Sequence, residues 1–275
     1  MKKKRALLIV IPVLLMGFCL FYQKEIRKNI AGVFFKGGEY YFSQEKYNIV
    51  QAERFYKIAI FSDYTYSGVH YQLGRIYFLN GSFDKAIAEF GAELSNHPDF
   101  SKSYYMRGLT NGYARKYENA VSDFEKYISA NPKTWAGYND LTWIYLIKND
   151  WEKAKETAEK GLQNDKINPW LRSNLGIALM NLEKFEEAKK EFLLAKSVSD
   201  KLSATDWTEV YPGNSPRIAE SGIVEFKAAV NLNLAIVNKK LGMKSEAERY
   251  YNEYLAILPE NDSRKISADI FLLMP

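Results

Sequence analysis

The sequence predicts an all-α repeat fold: a solenoid of about six helix pairs, preceded by one membrane-spanning helix. Three observations carry this. Ala52, Ala86, Ala120, Ala154 and Ala188 recur every 34 residues. Large apolar residues keep the same phase around them. And Ala6–Tyr22 is a run of 17 residues without a charge, with basic residues on both sides.

The repeat is legible in several columns at once. Three residues before each alanine stand Ile49, Phe83, Tyr117, Trp151 and Phe185; four residues after stand Tyr56, Phe90, Phe124, Ala158 and Phe192. Twelve before stand Tyr40, Gly74, Gly108, Thr142 and Gly176. A period of this length, with apolar residues at helical spacing inside each unit, is the mark of a stacked helical array. In the second unit the spacing predicts helices over Val69–Leu79 and Phe83–Leu94, separated at Asn80-Gly81, where glycine takes up the left-handed turn. A single helix pair cannot bury its apolar face alone, so the units must stack.

The units run 33–66, 67–100, 101–134, 135–168 and 169–202, then the phase slips across an insertion at 203–227 and a sixth unit follows at 228–261, with Gly242, Ala247, Tyr251 and Pro259. Of the first unit, only the second half is visible. Within the insertion, Tyr211-Pro212-Gly213-Asn214-Ser215-Pro216 is a turn-forming cluster, and Trp207 and Tyr211 stand on a loop, either to meet a partner or to pack on neighbouring repeats. A helix restarts near Ser215-Pro216 or Ser221 and runs to Leu241. Residues 262–275 read as a C-terminal capping helix, opened by Asp262 or Ser263.

The N-terminus comprises a basic tail at 1–5, the apolar run at 6–22 and a juxtamembrane linker at 23–32. The run reads as a signal anchor that stays attached. A cleaved signal peptide needs small residues at its cleavage site, and Gly17-Phe18-Cys19 supplies them poorly; lipidation of Cys19 needs a small residue where Phe18 stands. The compact charge of Lys2, Lys3, Lys4 and Arg5 opposes translocation of the tail, which places the repeat domain outside the cytoplasm on a single-pass anchor.

Charge and composition exclude much else. Residues 1–36 hold eight basic groups (Lys2, Lys3, Lys4, Arg5, Lys24, Arg27, Lys28, Lys36) against Glu25, so the net charge of +5 belongs to the N-terminal flank and the rest is slightly acidic. A nucleic-acid-binding domain would carry a basic face, and bulk charge gives none. Cys19 is the one cysteine and His70 and His97 the two histidines, so cysteine-ligated or histidine-rich metal sites and a cysteine nucleophile are absent from the repeats. No phosphate-binding glycine loop, nucleophile elbow, zinc-protease helix or dinucleotide fingerprint occurs. Neither an enzyme nor a cofactor is expected.

In these columns the chain resembles the tetratricopeptide repeat (TPR) family. Residues 67–100 carry it best, with Leu73-Gly74, Tyr77, Phe83, Ala86, Phe90 and Pro98. The resemblance covers roughly 33–261. It implies a right-handed superhelix of helix-turn-helix units whose inner face binds a protein or peptide. The positions that line this face in the family fall on Tyr71, Arg75, Phe78, Lys102, Tyr105, Tyr113, Asn139, Trp143, Trp170 and Asn174. Tyr, Trp and Arg are frequent at binding hot spots, and the asparagines can hold a peptide backbone. Some family members grip acidic C-termini through a Lys/Asn/Arg clamp; here Tyr71 stands where the Lys belongs and Arg75 where the Asn belongs, which favours a segment lying against aromatic walls. The expected function is a membrane-anchored interaction scaffold. The alternatives are a self-assembling spacer of a membrane complex and an accessory subunit to an enzyme on a separate chain.

Overall fold

The computed structural model describes residues 2–43, 45–202, 216–260, 262–265 and 271, and of residues 2–21 and 216–220 the backbone alone. Among the described residues there are twelve helices and no strand: α1 Lys2–Phe42, α2 Ile49–Ser62, α3 Val69–Leu79, α4 Phe83–Asn96, α5 Ser101–Tyr113, α6 Tyr117–Ala130, α7 Trp135–Ile147, α8 Trp151–Asn164, α9 Pro169–Asn181, α10 Phe185–Ser199, α11 Pro216–Lys240 and α12 Lys244–Ile257. They form six consecutive pairs in a repeat architecture. Two compact units divide them, Met1–Thr110 and Asn111–Pro275.

The column three residues before each alanine is where the second helix of each pair begins: Ile49, Phe83, Tyr117, Trp151 and Phe185 are the first residues of α2, α4, α6, α8 and α10. The five alanines are fully buried, as are Tyr56, Phe90, Phe124, Ala158 and Phe192 one turn on. Burying one such ring contributes about 2–3 kcal/mol, and the same contribution is repeated along the chain. Glycine opposite the ring makes the approach possible. A Cβ on Gly74 would stand 2.7 Å from Phe90, and one on Gly137 2.8 Å from Tyr127.

The turn from first to second helix places one residue in the left-handed region in each of Gly81, Arg115, Asn149 and Glu183, at φ 71°, 60°, 58° and 60°, again 34 residues apart. Only the first of these is glycine. Asn48, Asp150 and Asn168 cap α2, α8 and α9 by accepting from Gln51, Lys153 and Leu171 main-chain N–H groups at 3.1, 3.4 and 3.0 Å.

The N-terminal reading needs correction. In place of a separate linker and half a repeat, one helix, α1, continues from the apolar run to Phe42. Residues 23–31 contain no Gly or Pro to stop it. Its last turns supply the first helix of the first repeat: Ala31 and Gly38 are buried, Gly38 faces the ring of Tyr56, and Phe35 packs on Tyr56 and Tyr66 with ring centroids 5.9 and 5.5 Å apart. Among the described residues no helix is long and apolar enough to cross a membrane. The side chains of 6–21, on which the anchor rests, lie outside them. The anchor is therefore not supported by the structure.

In the second unit α7 packs on α6, α8 and α9, α10 on α9 and α11, and α11 on α12. The insertion ends in helix at Pro216, as the turn cluster predicts, while Trp207 and Tyr211 lie outside the described residues. Most of the expected capping helix also lies outside them. Phe271 is within, helical and buried, stacked on Tyr251 with centroids 4.1 Å apart and planes at 4°.

Candidate partner-binding site

In the first unit, the expected surface residues gather on α3 and the start of α5. Tyr71 is half-buried, its ring 5.2 Å from Phe100 and 5.9 Å from Phe90. The Arg75 guanidinium lies 4.8 Å above the Phe42 ring and 5.8 Å from the Tyr71 ring, and donates to Gln72 Oε1 at 2.7 Å. Arg75 thus bridges the last turn of α1 and the first turn of α3, a cation held between rings. Phe78 meets Phe83 at 6.0 Å, across the turn from α3 to α4. Tyr105 is half-buried and Lys102 exposed.

What fixes α3 here is Glu93, on α4 and fully buried. Its carboxylate accepts from Gly68 N at 2.8 Å and Tyr71 N at 3.3 Å, doing from a neighbouring helix what an N-cap side chain does locally. His70 sits beside it, with Nδ1 2.6 Å from Glu89 and Nε2 3.0 Å from the Tyr64 carbonyl; His97 Nε2 is 2.9 Å from the Thr65 carbonyl. Both histidines hold the α2–α3 connection.

In the second unit the residues fall into two groups. Tyr113, at the end of α5, is 55% exposed and its ring lies 5.5 Å from Trp143 on α7. Packing around the phenol, and second the negative charge of Asp140, raise the Tyr113 hydroxyl pKa above its ordinary value. Gly112 makes room for Trp143: a Cβ there would stand 2.8 Å from the indole. Beside this pair runs a polar line. Asn174 on α9 donates to Asn139 Oδ1 at 3.0 Å, and Asn139 Nδ2 donates to Asp140 Oδ1 at 2.9 Å. The other group is Trp170, which stacks on Trp135 with centroids 5.4 Å apart and planes at 5°, and meets Phe226 of α11 at 5.6 Å.

Sequence reasoning missed Asp140, Trp135 and Phe226. Trp135 was findable, since it opens α7 one residue more than a full period before Trp170. Phe226 was read as part of the insertion. Asp140 follows Asn139, but only the fold turns both toward Asn174 and Tyr113.

The tetratricopeptide repeat model matches residues 67–92 and 101–134. A TPR repeat-containing protein of Bacillus subtilis (strain 168), YpiA, is 26% identical over 173 residues, which cover 62% of this chain and 40% of that one. The chain spans less than half the length of the curated relatives it matches. Among solved structures, a crystal structure of MamA superposes with a TM-score of 0.56 at 22% identity, covering 60% of this chain and 95% of that one. YrrB, described as a TPR protein with an unusual peptide-binding site, superposes with a TM-score of 0.52 at 16% identity, covering 75% of this chain and 93% of that one. These structural likenesses concern the fold.

Proposed function

With tetratricopeptide repeats matched at residues 67–92 and 101–134, we propose that this protein is an interaction scaffold that holds an extended segment of a partner protein against the first helices of its pairs. The observation that carries this reading is the hydrogen-bonded line Asn174–Asn139–Asp140 beside the Tyr113–Trp143 aromatic pair. Asn139 and Asp140 are buried and hold one another, so the half-buried Asn174 that they orient is the amide left to pair with the N–H or C=O of an extended backbone. Aromatic faces at the edge then select side chains. YrrB, which shares the fold, is described as binding peptide, and that adds support. The chain acts by holding rather than by catalysis.

The same reading places the scaffold on a membrane through residues 6–22, with the repeats outside the cytoplasm. Its support is the uncharged run Ala6–Tyr22 and its basic flanks.

The test is selection of peptides on the full chain in detergent from a displayed random library, followed by affinity measurement. Asn139→Ala, Asn174→Ala and Trp143→Ala should each weaken the selected peptides at least tenfold, about 1.4 kcal/mol, with the helical circular dichroism unchanged. Undiminished affinity in the Asn139, Asn174 and Trp143 variants would remove the site from this face.

A further inference from the structure

The first repeat presents an apolar and basic surface at the end where α1 emerges from the apolar run. Along α1, Ile26, Ile30 and Val33 follow one another at spacings of four and three residues, so they share a side, and they are 54%, 42% and 68% exposed. Lys24, Arg27 and Lys28 stand on the remaining sides of the same turns, all exposed, against the single acid Glu25. α2 returns toward this end: Gly37 lies against its Phe55 and Gly38 against its Tyr56. Phe61, six residues farther along α2 than Phe55, is therefore level with about residue 31 of α1 by equal helical rise, near the same end, and it is 92% exposed. A phenylalanine so open on a repeat helix has no packing role in the fold.

The length of the uncharged run says what covers this surface. Its 17 residues span about 25 Å at about 1.5 Å per residue, some 5 Å short of a bilayer's hydrocarbon core of about 30 Å. Because α1 is unbroken to Phe42, the shortfall is met by the next turn, Gln23 to Ile26, with Lys24 reaching out to the interface. Ile30, Val33 and Phe61 then lie within roughly 10 Å of the hydrocarbon boundary by the same helical rise, in the headgroup layer. Apolar side chains flanked by Lys and Arg are the composition of surfaces that sit there, and their excess positive charge selects anionic lipid. We propose that this end of the first repeat, built from Ile30, Val33 and Phe61 with Arg27, Lys28 and the outreaching Lys24, docks on the headgroup layer of an anionic membrane, so that the first helix pair rests on the bilayer. The proposal rests on the anchor reading given above.

The experiment uses the full chain with Cys19→Ser, reconstituted in vesicles of zwitterionic lipid alone or with about a third of anionic lipid, and a membrane-impermeant maleimide. A thiol introduced by Phe61→Cys should react about tenfold more slowly in the anionic vesicles. Raised salt, or Lys24→Gln with Arg27→Gln and Lys28→Gln, should abolish that difference. A thiol introduced by Glu45→Cys, at the far end of the α1–α2 pair, should react equally in both. Equal rates for Phe61→Cys in the two lipids, from a chain that resists alkaline carbonate extraction, would overturn the docking and leave the anchor standing. Protection that follows protein density rather than lipid charge would assign the surface to a second copy, and so overturn it too. Extraction by carbonate from both vesicles would reject the anchor, and the docking with it.

Discussion

Gly176 and Phe192 are fitted to one another: a Cβ on Gly176 would stand 2.5 Å from Phe192 Cε1, and the ring is fully buried. The same fit joins Gly74 to Phe90. At the equivalent positions of the fourth repeat the sizes are exchanged, with Thr142 in place of the glycine and Ala158 in place of the ring, both fully buried. The larger member of the pair moves from the second helix to the first, so that a small residue still meets a larger one, as close-packed interiors require. Gly176→Ala alone should therefore overpack the contact and cost about 1–3 kcal/mol, read as a lowered urea midpoint. Adding Phe192→Leu should recover part of that loss. Two losses that simply add would show that the contact does not decide the fit.

Arg115 and Glu183 hold left-handed backbone, at φ 60° each, where Gly81 holds φ 71°. A side chain in that region costs roughly 1–2 kcal/mol through its Cβ, partly offset by the greater entropy that glycine loses on folding. Glu183→Gly is expected to stabilise the chain by several tenths to about 1 kcal/mol, seen as a raised Tm. Gly81→Ala is expected to lower it by a similar amount. A fall in Tm for Glu183→Gly would show that the Glu183 side chain, not its backbone, matters at this turn.

The repeat phase was legible because it is written in side-chain volume: the columns at Ala52 and Tyr56 and their equivalents are the buried ones in the structure. The first helix of the first repeat escaped because its connection, residues 43–48, is longer than the 80–82 connection of the second. Gly38 rather than Tyr40 therefore faces Tyr56, two places out of phase. Position counting placed Asn139, Asn174, Trp143 and Tyr113 along the first helices; in the structure Asn174 meets Asn139 and Tyr113 meets Trp143, while Asn139 is buried, which counting alone does not tell. It could not tell that Trp170 is held between Trp135 and Phe226, since that arrangement joins three helices and the third follows an insertion that breaks the period.

Glu93 is the next point to test, because it ties α3 to α4 at the Tyr71 end of the first-unit surface. It is a fully buried carboxylate that accepts from Gly68 N and Tyr71 N. Glu93→Ala leaves both amides without that acceptor in a buried place, and should cost about 2–3 kcal/mol. Glu93→Gln keeps one acceptor oxygen and should lose less. Hydrogen exchange would locate the effect: the amides of Gly68 and Tyr71 should lose protection before those of α8 do. Uniform loss through both units would make Glu93 a general core residue rather than the cap of α3.

Tyr56 predicts how the first unit responds to alkali. Its ring is fully buried and its hydroxyl donates to the Glu39 carboxylate. Burial first, then the hydrogen bond and negative charge of Glu39, raise the folded pKa well above the ordinary tyrosine value. In the unfolded chain the phenol loses its proton near pH 10, while in the folded chain it keeps it. Above that pH the folded state binds more protons than the unfolded one, so stability falls as pH rises, by up to about 1.4 kcal/mol per pH unit from this group. Below pH 10 its contribution is constant. Tyr56→Phe removes the titrating group and should flatten the decline between about pH 10 and 11, although it costs about 1 kcal/mol at neutral pH by leaving Glu39 without its donor. Denaturant midpoints for both chains from pH 8 to 11 would decide the matter: parallel declines would assign the alkaline sensitivity to other groups.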